Sequence, residues 1–160
     1  MGIIILLFTF ILSYILFSIS REDIRTMIIS ETKLRIFALS GVIYLVYLGT
    51  SNKNINTIEL ILNNTFHMLI IFLIMYLIKS ISYKLFRINS LGIGDIKLSS
   101  ISTIWLGMEM SLISLCIAFF LSAIYSLQGK ITKKFKKFHQ YPFTPFISIG
   151  IFCSWVLDKI

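Results

Sequence analysis

From Leu98 to Gln128 the chain runs through apolar and small residues with a single charge, Glu109. As one straight helix this run would extend roughly 46 Å, whereas the hydrocarbon core of a bilayer is about 30 Å thick. Either the helix overshoots a membrane badly, or the run folds back, and Gly107-Met108-Glu109 offers a tight turn between two spans. Further apolar stretches lie at about Gly2 to Ser20, Ile36 to Gly49, Ile58 to Ile78 and Phe143 to Leu157. With 57% hydrophobic and only 14% charged residues, the chain is too apolar for a soluble domain of this size. No polar segment is long enough to hold a second core, so one domain over residues 1–160 is expected.

The basic residues choose between one span and two in the long run. If it crosses twice and the N-terminus lies outside, all but Lys53 and Lys159 of the 15 basic residues fall on the inner side. One crossing would place the lysine-rich segment after Gly129 opposite the other basic loops, against the positive-inside rule. The expectation is an all-α membrane protein of about six transmembrane helices, multi-pass in an inner (cytoplasmic) membrane. A net charge of +8 would suggest nucleic acid in a soluble protein; here it marks inner loops facing a lipid bilayer, and no nucleic-acid partner is expected. Ile131, Phe135 and Phe138 suit a basic amphipathic turn on an anionic leaflet, or a plain topology determinant. Gly2 to Ser20 has no preceding Lys or Arg and no small-residue cleavage site after it, which favours a retained helix over a signal peptide.

Topology brings acids together. Asp23 falls at the inner end of the first helix and Asp95 at the inner end of the fourth, whereas Glu59, Glu109 and Asp158 fall on the outer side; Glu22 and Glu31 share the first inner loop. Two carboxylates in contact cannot both ionise cheaply and tend to share a proton. One can then take a proton from water while the other protonates the reacting carbonyl or leaving amine. Gly92 and Gly94 precede Asp95, and without side chains they would let an extended substrate backbone approach and would tolerate positive φ. Taken alone, Asp95 is equally a helix N-cap, and Asp23 a solvated acid paired with Arg21 or Arg25. Lys97 fits a snorkelling anchor or a group that tunes the carboxylates. Pro142 and Pro145 open the last helix, where proline's missing donor costs least. His67, Asn63 and Asn64 fit interhelical hydrogen bonding. Cys116 and Cys153 form no CxxC, so neither a metal site nor a disulfide framework is indicated, and no cofactor is expected.

Gly92-Ile93-Gly94-Asp95-Ile96-Lys97-Leu98 resembles the GxGDxKL signature of the type IV prepilin peptidases, membrane aspartic proteases of the GxGD type. Asp23-Ile24-Arg25-Thr26 is similar to the D-x-R-T segment that carries that family's other catalytic aspartate. Tyr141-Pro142-Phe143-Thr144-Pro145-Phe146 resembles its PFGPF segment. The three occur in the family's order. The resemblance implies an aspartic endopeptidase that removes the basic leader of pilin-like or pseudopilin precursors at the cytoplasmic face. Catalysis would fall to Asp23 and Asp95, with Gly92 and Gly94 against the substrate and Lys97, Arg25, Pro142 and Pro145 in support. Pilus or type II secretion assembly machinery would be the partner. Two departures stand out: Ile29-Ser30 occupies the place of Pro-Asn or Pro-Asp, and Thr144 replaces a glycine. The cysteine-paired insert of larger members is missing, so N-methyltransferase activity is not expected. The rivals are a small ion- or proton-coupled transporter, which would place its carboxylates at mid-bilayer, and an assembly subunit with a decayed site.

Overall fold

The computed structural model describes residues 2–51, 56–87, 91–132 and 141–159. The cluster Lys133, Lys134, Lys136 and Lys137, with Phe135 and Phe138, lies outside the described residues, as do positions 52–55 and 88–90. The described chain forms five helices: α1 (Gly2–Thr26), α2 (Glu31–Ser51), α3 (Thr57–Phe86), α4 (Ile93–Ile131) and α5 (Thr144–Lys159). In hydrocarbon a backbone must satisfy its own hydrogen bonds, which a helix does within one segment. Four of the five, α1 to α4, are long and apolar enough to cross a membrane. The protein is therefore an all-helical membrane protein.

Helix ends follow local chemistry. The Asn56 side chain accepts from the Ile58 N–H at 3.2 Å and caps α3. At the other end of α3, Arg87 takes the left-handed conformation (φ 57°) and donates its N–H to the Tyr83 carbonyl. Met27 (φ 52°) ends α1 in the same way, donating to the Asp23 carbonyl at 2.8 Å. Helix α1 thus runs on past Ser20, and Asp23 stands in its final turns rather than in a loop.

The core is aromatic. Trp105 of α4 stacks between Phe37 and Tyr44 of α2 and meets Trp155 of α5 edge-on. Both indoles are satisfied, Trp105 by the Phe37 carbonyl at 3.0 Å and Trp155 by the Thr9 hydroxyl at 2.8 Å. Gly150 lets α5 approach α4 closely: a Cβ there would stand 2.3 Å from the Ser114 carbonyl oxygen. Outward, α1 and α3 present Ile3, Leu6, Phe10, Leu62, Phe66 and Leu69, a surface suited to lipid.

The six expected helices appear as five because α4 has no polar loop within it. Its continuity breaks at one residue, Gly107, with φ 73° and ψ −179°, a region essentially confined to glycine. Contacts with α5 run in opposite orders on the two sides of this break. Before it, Asp95 meets Thr144 and Trp105 meets Trp155. After it, Ser114 lies by Gly150 and Ser122 bonds Tyr141. The first half of α4 therefore runs parallel to α5 and the second half antiparallel to it.

Candidate active site

At one end of the bundle the last turns of α1, the first turn of α4 and the first residue of α5 converge. Asp23 and Asp95 are buried there, 6% and 9% exposed, around a fully buried Thr144. The Thr144 backbone N–H donates to Asp23 Oδ2 at 3.3 Å, and the Thr144 hydroxyl donates to Asp95 Oδ1 at 2.8 Å. One residue of α5 thus touches a carboxylate from α1 and another from α4. Pro145 follows and has no N–H to orphan, while the Phe146 N–H returns to the Phe143 carbonyl at 3.0 Å. The Thr144 amide is left to face Asp23.

The N-cap of α4 is Gly92, without a side-chain cap bond, and Asp95 lies three residues further in. Among the described residues the ion pairs are Lys33–Glu22, Lys97–Glu31 and Lys159–Asp158; neither Asp23 nor Asp95 takes part. Arg21 and Arg25 are exposed.

The connection between α1 and α2 is pinned beside the carboxylates. Glu22 Oε2 accepts from the Ser30 N–H at 3.3 Å and pairs with Lys33 at 3.3 Å. Lys33 also donates to the Ser18 carbonyl at 2.9 Å. This holds Ile29 against the start of α4, where a Cβ on Gly94 would come within 3.0 Å of Ile29 Cδ1. Gly92 has φ −69°, and the positive-φ glycine is Gly107. The space left by Gly94's absent side chain is filled by the protein's own Ile29. At Gly92 a Cβ would come within 3.0 Å of Asp95 Oδ2, so the bare backbone there leaves room for the carboxylate.

The remaining candidates separate. Lys97 is held by Glu31, joining the first turns of α4 and α2, and in this pairing its ammonium is turned to Glu31 rather than to the carboxylates. Arg25 and Pro145, with Arg21, Phe17, Ser20 and Phe152, line an apolar groove of about 520 Å³ between α1 and α5. Pro142 is half-buried just before α5. Thr144 is the residue whose contacts with both carboxylates sequence reasoning missed; its signal was only that it departs from glycine in a recognisable segment. Among the described residues no three His, Cys, Asp or Glu side chains converge as metal ligands would.

With this geometry in view, the comparison with protein families is decisive. A model of the type IV leader peptidase family matches residues 10–127. The chain belongs to that family. Asp23 and Asp95 both fall within the part shared with the type IV leader peptidases, whereas Thr144 lies beyond it. Membership makes the protein a protease of pilin-like precursors in outline. Searches of curated proteins and of solved structures find no match.

Proposed function

We propose that this leader peptidase is an aspartic endopeptidase, one polytopic domain over residues 1–160, that trims the basic leader from pilin-like or pseudopilin precursors at the cytoplasmic face of the inner membrane. The observation that carries the reading is the burial of Asp23 and Asp95 around one residue, Thr144. Such a pair can divide the work of a base and an acid between its two members. The unprotonated carboxylate accepts a proton from a water molecule as that water's oxygen bonds to the scissile carbonyl carbon. The protonated carboxyl gives its proton to the carbonyl oxygen. Collapse of the tetrahedral intermediate then breaks the C–N bond, and the amine nitrogen leaves with a proton from the pair.

The reversal at Gly107 supports six crossings, with the second half of α4 and then α5 as the fifth and sixth. Arg21, Arg25, Lys33, Lys97 and Lys130 then gather at the carboxylate end of the bundle, which the positive-inside rule assigns to the cytoplasm. A precursor cut there presents its leader in water and its apolar helix in the bilayer. Pilus or type II secretion machinery would receive the product.

The test is Asp23→Asn and Asp95→Asn, each expressed with a pilin-like precursor and followed by the shift from precursor to mature form. Each substitution is expected to abolish processing at unchanged protein level. Normal processing by either variant would remove the dyad and the reading with it.

A further inference from the structure

We infer that Thr144 is a positioning residue of the dyad, its amide and hydroxyl together holding Asp23 and Asp95 at a working separation. The inference rests on the proposed function and adds a group to it. Hydroxyls elsewhere in these helices mostly turn back on their own helix: Thr9 donates to the Ile5 carbonyl, Ser40 to Ile36, Thr65 to Ile61 and Ser100 to Ile96. That is the usual habit of Ser and Thr in apolar helices. Thr144 is the first residue of α5, so no preceding turn offers it a carbonyl. Its hydroxyl reaches across to α4 instead, while its N–H, one of the unsatisfied donors of a helix start, reaches to α1.

Neighbouring atoms of a single residue thus set where two carboxylates from distant helices stand. The side chain is β-branched, which narrows its χ1 choices, and it is fully buried, so the donor direction is held by packing as well. A glycine at this position would keep the amide bond to Asp23 and lose the hydroxyl bond to Asp95. Pro145, the next residue, has neither hydroxyl nor N–H to offer in its place.

The experiment compares Thr144→Val, which keeps the shape and loses the hydroxyl, with Thr144→Ser, which keeps the hydroxyl and loses a methyl. Full-length protein in detergent or proteoliposomes is assayed on a synthetic precursor with a basic leader and an apolar helix. Hydrogen bonds to charged groups are strong enough that losing one slows the chemical step by about tenfold to a hundredfold. The valine variant is expected to lose kcat by that factor with KM within about twofold, and the serine variant to stay within about threefold of the parent. If valine retains parental kcat, or serine falls as far as valine, the positioning role is overturned. Should the valine variant fail to accumulate, Thr144→Ala carries the same expectation.

Two controls separate this outcome from failure of the parent reading. Asp23→Asn and Asp95→Asn run in the same assay; if they cleave normally, the proposed function fails. A readout free of turnover is the set of infrared carboxyl bands that disappear in Asp95→Asn. These should shift in Thr144→Val and stay in place in Thr144→Ser; unmoved bands in the valine variant overturn the inference whatever the enzyme cleaves.

Discussion

At the scale of the residue, the site is a study in which neighbour occupies a given gap. Gly94 looks, in the sequence, like room for a substrate backbone. In the fold that room is taken by Ile29, whose Cδ1, Cβ and Cγ1 would stand 3.0 to 3.2 Å from any Cβ added at Gly94. Gly94→Ala therefore forces a flexible side chain to move rather than a backbone. We expect a loss of about 1 kcal/mol in stability from the crowding, with a lower rate because the Ile29 segment abuts the turn that carries Asp95. Ile29→Ala should relieve most of this in the double variant. Thermal unfolding and precursor cleavage in the four-member cycle measure the coupling; additive losses would show that the two residues do not share the gap. Lys97 shows the same lesson in reverse. Its spacing from Asp95 invites a role beside the dyad, but a lysine stem is long, and its ammonium reaches Glu31 on α2.

At the scale of the element, α4 is the unusual member. A run this long and apolar would overshoot a bilayer, and its reversal rests on one glycine. Gly107 has φ 73° and ψ −179°, and its surroundings are open, with Asn64 Oδ1 3.9 Å from where a Cβ would sit. Any penalty for Gly107→Ala thus comes from the backbone, on the order of 1–3 kcal/mol for such a conformation. The expected outcome is a lower unfolding temperature and reduced cleavage, because the second half of α4 packs on α5 and α5 carries Thr144. Parental stability in this variant would mean that the reversal does not depend on the strained conformation. The third helix behaves as its composition leads one to expect. Only 11% of its most apolar window is buried, so it is the part of the bundle most given over to lipid.

At the scale of the whole molecule, chain direction alternates so that the ends of α1, α4 and α5 that carry Asp23, Asp95 and Thr144 meet. If the bundle crosses a membrane six times, Glu109, just past the reversal, and Lys84, near the end of α3, stand on opposite sides. In protein lacking Cys116 and Cys153, an impermeant maleimide added to intact cells should label Glu109→Cys and spare Lys84→Cys until the membrane is opened. Equal labelling of both would overturn the six-crossing arrangement. The alternating directions also explain how much of the site could be anticipated. Asp23 and Asp95 were assignable to one end because each sits at the edge of an apolar run, and such edges are visible as local changes in composition. Thr144 was not, because nothing local distinguishes a threonine that bridges two distant helices from one that bonds its own turn.

The amino-acid order by itself determined that the chain is helical and membrane-bound, where its apolar segments begin and end, and that two acids, Asp23 and Asp95, stand at the edges of such segments. Transfer into hydrocarbon depends on composition summed over about one helix length, and that sum is written along the chain. Only the tertiary structure decided which atoms meet: Thr144 between the two carboxylates, Ile29 in the gap at Gly94, Glu31 on Lys97. Those contacts join residues of different helices, and their existence depends on the axial register of one helix against another. That register is set by the packed core of Phe37, Tyr44, Trp105 and Trp155 and by the close approach at Gly150, where a shift of one turn, about 5.4 Å, would part every hydrogen bond at the site.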